Sequence, residues 1–199
     1  MLTNGVKMVF FLFILVLLFP FVSKADGLFL KVESGLSSIS AYENLFKDYP
    51  VYLFEKSVYP SFSVSVSRDF KFYYFEGGAE VLGVSSNLYF YSGEIKEYQL
   101  AGGYLFAGGG FKKDLRDSVL KGGIDVFLKF YENFSVDGSD FSTDFLSDFF
   151  PVIVFSVDTF FTEKVFLSAV FKSSIGDVLT TPIAKGGWSS FSVGVGFRL

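Results

Sequence analysis

The sequence predicts an all-β fold: an eight-stranded antiparallel up-and-down transmembrane β-barrel. Three observations carry that prediction. Apolar residues recur at every second position along eight stretches, the connections between them alternate short and long, and one face of nearly every stretch is free of charge. Residues two apart share one face of a strand, whereas a helix would scatter them around its axis.

The first segment of the 199-residue chain is set aside from the fold. Lys7 precedes a continuous apolar run over residues 8–22, and Ser23-Lys24-Ala25 places small residues three apart. This is the order of a secretory signal peptide, with cleavage expected after Ala25. The run is short for a membrane-crossing helix, which needs about 20 residues. The expected organisation is a signal peptide over 1–25 and one barrel domain over 26–199.

The strands follow in order. Leu28, Leu30 and Val32 alternate with Phe29, Lys31 and Glu33 over 28–36, and Phe62, Val64 and Val66 alternate with serines over 58–67. Tyr73, Phe75, Ala79 and Val81 oppose Glu76, Gly78 and Glu80 over 70–84. On 97–111, Leu100, Tyr104 and Phe106 are expected outside, opposite Glu97, Gln99, Ala101 and Gly103. Ile124, Val126, Leu128 and Phe130 oppose Asp125, Phe127 and Lys129 over 119–131. Ile153, Phe155 and Val157 oppose Ser156 and Asp158 over 150–161, and Val165, Leu167, Ala169 and Phe171 oppose Ser168 and Lys172 over 165–173. The last strand, 187–199, alternates Phe191, Val193, Val195, Phe197 and Leu199 with Ser190, Ser192, Gly194, Gly196 and Arg198. The short connections are 68–69, 112–118 and 162–164; the long ones are 37–57, 85–96, 132–149 and 174–186. Strict alternation of the two lengths sends every long loop to one end.

Composition narrows the function. The chain has 29 Phe, 11 Tyr and 1 Trp, which excludes the aromatic-poor composition of disorder. It has no Cys, hence no disulfide or thiolate metal site, and no His, hence no histidine triad and no zinc site of the usual kind. Removal of the leader's two lysines leaves 15 basic against 21 acidic residues, a balance that argues against a nucleic-acid partner.

Alternation alone does not say which face meets the solvent. A lipocalin-like barrel turns its apolar face inward, whereas a membrane barrel turns it outward. Here the other face is small and carries mixed charges: Lys31, Lys121, Lys129, Lys172 and Arg198 against Glu33, Glu76, Glu80, Glu97, Asp125 and Asp158. Eight strands enclose a lumen just wide enough for side chains, and buried charges persist when paired. We therefore expect these charges inside as a structural network. Membrane lipid is expected outside, met by an aromatic set of Phe62, Tyr73, Phe75, Tyr98, Tyr104, Phe106, Phe130, Phe155, Phe161, Phe171, Phe191 and Phe197.

The C-terminal run SSFSVGVGFRL resembles the terminal strand of bacterial outer-membrane β-barrels, with Phe191, Val193, Val195, Phe197 and Leu199 as its apolar positions. With the leader and the eight strands, the chain resembles the small outer-membrane protein A/X-like barrels. The resemblance implies a location in the bacterial outer membrane and an assembly machinery that reads the last strand. It also implies long extracellular loops. Leu199 departs from the family's preferred terminal Phe.

The implied role is non-catalytic: structural, or recognition of an extracellular partner through loops 37–57 and 132–149, with no cofactor and no metal. A narrow pore is the first alternative, and a secreted soluble barrel that binds an apolar ligand is the second. Several residue groups invite chemistry but have simpler readings. Glu76 and Glu80 share a strand face and fit the salt-bridge network. Asp137, Asp140, Asp144 and Asp148 match no EF-hand spacing. Gly108-Gly109-Gly110 lacks the Lys-Ser/Thr ending of a phosphate loop. Tyr42, Phe46, Tyr49, Tyr52 and Phe54 make the first loop a candidate binding tip.

Overall fold

The structure, a computed structural model, describes residues 27–41, 51–54, 58–90, 92–141, 145–180 and 185–199. The expected leader and the aromatic side chains of the first loop lie outside the described residues, as do Asp144 and the side chain of Tyr98. In chain order the strands are β1 (Gly27–Ala41), β2 (Val51–Phe54), β3 (Val58–Asp69), β4 (Tyr73–Phe90), β5 (Ile95–Asp114), β6 (Ser118–Val136), β7 (Ser139–Phe141), β8 (Phe149–Phe160), β9 (Val165–Ser174), β10 (Leu179–Thr180) and β11 (Lys185–Arg198).

Eight of them form the wall in the order β1-β3-β4-β5-β6-β8-β9-β11, and β11 returns to pair with β1. Every wall pairing is antiparallel. Closure gives every wall strand a neighbour on both sides, the condition for a sheet in lipid. The three small strands are additions: β2 pairs with β4, β7 with β6 and β10 with β11.

Tight turns at one end join β3 to β4, β5 to β6 and β8 to β9. Phe70 N–H donates to Tyr73 O at 2.8 Å, Leu115 N–H to Ser118 O at 2.8 Å and Phe161 N–H to Val165 O at 3.0 Å. Both described chain ends lie there as well, since Leu199 N–H donates to Leu28 O at 2.8 Å.

The wall is uneven in height. β4, β5 and β6 have 18, 20 and 19 residues, whereas β8 and β9 have 12 and 10. Much of the expected loops is therefore strand. The connection expected over 85–96 shrinks to 91–94, 132–136 continues β6 and 37–41 continues β1. The polar run Ser85-Ser86-Asn87 reads as loop by composition, yet a strand that rises past an apolar band needs no outward apolar residue. At the top of β6, Asp137 and Gly138 take φ values of 48° and 77°. Positive φ at both central residues makes the two-residue hairpin turn that suits strand twist, and Asp-Gly is its favoured sequence.

The outward face is apolar. Val32, Phe62, Val64, Phe75, Val81, Ile124, Phe130, Ile153, Phe155, Val157, Leu167, Phe171, Phe191, Val193, Val195 and Phe197 are all exposed. A band of this extent is far larger than soluble monomers present to water.

One strand is corrected. Leu100, Tyr104 and Phe106 of β5 face the lumen and are buried, while Glu97 and Gln99 lie on the outer face. The even-numbered face of β5 ends in Lys112, which pairs with lumen acids, and Tyr104 finds a hydroxyl partner only inside. Those two requirements set the register that small residues on both faces leave open.

Candidate functional site: a two-tier lumen

The lower tier, toward the tight turns, is charged. Lys31, Lys112, Lys121 and Lys172 face Glu33, Asp69, Glu76, Glu80, Asp125 and Asp158, and all ten are buried. Strand alternation puts them there, and their pairing lets them stay. Lys31 Nζ lies 3.2 Å from Glu76 Oε2 and 3.6 Å from Glu33 Oε1. Lys121 Nζ bridges Asp69 at 2.9 Å and Asp158 at 3.1 Å. Lys172 Nζ contacts Glu80 directly and reaches Glu33 at 3.9 Å, and Lys112 Nζ lies 3.8 Å from Asp69. Hydroxyls complete the shell: Ser63 Oγ donates to Glu33 at 3.1 Å and Ser168 Oγ to Asp158 at 2.7 Å.

The upper tier is apolar. Phe106 and Phe127 stack with ring centroids 5.2 Å apart, Phe127 and Phe150 stack at 5.3 Å, and Trp188 lies against Phe127 at 5.6 Å. Leu82, Leu100, Val152, Val154 and Val170 fill the space around them. Lys172 sits at the boundary, its ammonium 4.9 Å from the Phe106 ring centroid, where the ring face adds cation–π attraction.

Two loop segments cap the top. Leu146 and Leu179 form a bridge and are buried with Val178 in the aromatic cluster. Ser147 N–H donates to Val178 O at 2.7 Å, Ser147 Oγ to Asp177 O at 3.0 Å and Tyr104 Oη to Ser147 O at 3.2 Å. Lys129 Nζ anchors the cap through Glu132 Oε2 at 2.7 Å, Leu146 O at 2.6 Å and Asp148 at 3.1 Å.

The sequence-predicted site residues thus divide by location. Lys31, Glu33, Glu76, Glu80, Asp125, Asp158 and Lys172 meet in the lower tier. Lys129, expected with them, serves the cap instead: it stands four residues above Asp125 on the same strand face, with Phe127 of the aromatic tier between them. Glu97, expected in the lumen, is on the outer face; its backbone N–H donates to Asp137 Oδ1 at 3.1 Å. Arg198 is exposed at the tight-turn rim, in a groove it shares with Asp114, Arg116, Asp117 and Glu163. Asp69 and Lys112 belong to the network although sequence reasoning does not single them out for it. Each continues an inward series, Ser63-Ser65-Ser67 and Gly108-Gly110, into what reads by composition as a turn. On β11, Phe191, Val193, Val195 and Phe197 face outward and Leu199 is exposed.

No protein-family model matches the chain, and no curated protein matches it in sequence. Solved structures do. The chain is similar to Neisserial surface protein A, with 17% identity and a TM-score of 0.57, covering 89% of this chain and 100% of that one. It is also similar to Ail, the attachment invasion locus protein of Yersinia pestis, solved with the heparin analogue sucrose octasulfate. That match has 12% identity and a TM-score of 0.51 and covers 87% of this chain and 99% of that one. With its closed wall, lipid-suited outer face and filled lumen, the chain has the fold of the small eight-stranded bacterial outer-membrane β-barrels.

Proposed function

We propose that the protein is a non-catalytic resident of the bacterial outer membrane that recognises a partner through its tall β4–β6 wall and the loops at that end. In this reading residues 1–25 are an export leader and residues 26–199 are the barrel. The tight turns face the periplasm, and the assembly machinery reads Phe191, Val193, Val195, Phe197 and Leu199. The observation that carries the proposal is the filled lumen beneath a capped mouth, which leaves the projecting wall as the surface available for binding.

The chemistry of that end favours a basic partner. Glu94, Glu97, Asp137, Asp140 and Asp148 are exposed there, with Lys96 beside Glu94 and Lys129 beside Asp148 as described counter-charges. Such a rim repels a polysulfate of the kind solved with Ail and attracts a cationic peptide, because complementary potentials steer encounter. Binding of the folded barrel to a basic peptide and to heparin resin tests this. Salt-sensitive peptide binding that falls when Glu94 and Asp140 become Gln and Asn is the expected result; retention on heparin alone would overturn it. Partitioning tests the membrane assignment itself: a protein that stays monomeric in water without detergent would not be this barrel.

A further inference from the structure

The lower tier leaves one carboxylate unmatched. Asp125 is 0% exposed, and neither Oδ1 nor Oδ2 has a hydrogen-bond partner. The same holds for Ser67 Oγ and Tyr74 Oη, both buried. The strand register sets their residues on neighbouring strands of one wall. Ser67, Glu76, Gly108 and Asp125 stand in one row across β3, β4, β5 and β6.

Gly108 supplies the space. A Cβ there would fall 2.2 Å from Asp125 Oδ1, so the carboxylate leans over the glycine toward Glu76. One row lower, Tyr74 crosses above Gly110 to Gly123, where a Cβ would meet its hydroxyl at 2.7 Å. The missing side chains of Gly108 and Gly123 thus leave room for the Asp125 carboxylate and the Tyr74 hydroxyl over the strand floor.

Charge points the same way. The tier holds four lysines against six carboxylates, an excess of two negative charges when all are ionised. Each lysine pairs with Glu33, Asp69, Glu76, Glu80 or Asp158, and Asp125 joins none of these pairs. Buried charges are paired or bind metal, and hard cations take oxygen ligands. Among the described residues no three acidic side chains converge as a divalent cage would need. We propose that Asp125 and Glu76 together bind one monovalent alkali cation, with Ser67 Oγ and Tyr74 Oη as its neutral ligands.

Melting the folded full-length chain in detergent tests this, with rubidium chloride compared against N-methylglucamine chloride at equal ionic strength. A bound cation raises the midpoint in a saturable way. The shift disappears in Asp125→Asn, which keeps the side-chain shape, and weakens in Tyr74→Phe, which removes a single oxygen. Anomalous scattering from a rubidium-soaked crystal then shows a peak beside Asp125. Equal midpoints in the two salts, an unchanged response in both variants, or only water density beside Asp125 would each overturn the proposal.

Discussion

Lys172 gathers the most consequences at a single residue. Its ammonium holds Glu80 and Glu33 and faces the Phe106 ring. Its removal strands two buried carboxylates, and breaking a buried pair costs about 3–5 kcal/mol. Lys172→Met should therefore lower the urea midpoint of vesicle-embedded protein strongly. The double variant Lys172→Met/Glu80→Leu should recover part of the loss, because apolar replacement of both partners removes the stranded charge. Full stability in the single variant would sink the network. Gly196 gives a second reading at this scale. A Cβ at that position would lie 1.9 Å from the Phe166 ring, which is fully buried in the lumen. Gly196→Ala should cost about 1–3 kcal/mol through overpacking, seen as an earlier unfolding transition.

Among the elements, the period-two pattern makes most of the wall legible. On β3 and β11 the apolar and small faces differ so sharply that one register is possible; on β8 and β9, where Phe150, Val152, Val154, Phe166 and Val170 also line the lumen, Ser156, Asp158, Ser168 and Lys172 mark the inner face. β5 reads inside out. Its faces are Leu100, Gly102, Tyr104, Phe106, Gly108 and Gly110 against Ala101, Gly103, Leu105, Ala107 and Gly109, so hydropathy does not separate them. What decides is long-range: Tyr104 packs at 5.1 Å on Phe150, more than forty positions away in sequence. The lumen charges on β1, β4, β6, β8 and β9 can be named from alternation. Their partners cannot, because nearly every pair joins different strands. The β6–β7 hairpin is also hidden, since Asp137 reads equally as a loop acid. Its turn makes a local prediction. Gly138→Val forces a branched residue to φ near 77°, a strain of about 1–3 kcal/mol. Amide exchange should accelerate over β7 and leave the β8–β9 amides unchanged.

For the molecule as a whole, the two tiers act as seals in series. Loss of the cap alone leaves the charged tier in place. Planar-bilayer recordings of the parent and of Leu146→Ala should both lack steady single-channel currents, even though burial of Leu146 makes that variant less stable by about 2–5 kcal/mol. Steady currents in either would restore the pore reading. The seam between β1 and β11 has a different consequence, one of timing. Its register runs from Phe29–Arg198 to Ala41–Gly186, so the first wall strand waits for the last. A chain exported amino end first carries β1 with a bare edge through the whole of its passage. Its sticky flank must be shielded until β11 emerges, and the final step of folding is a zipper drawn shut between the two ends of the wall.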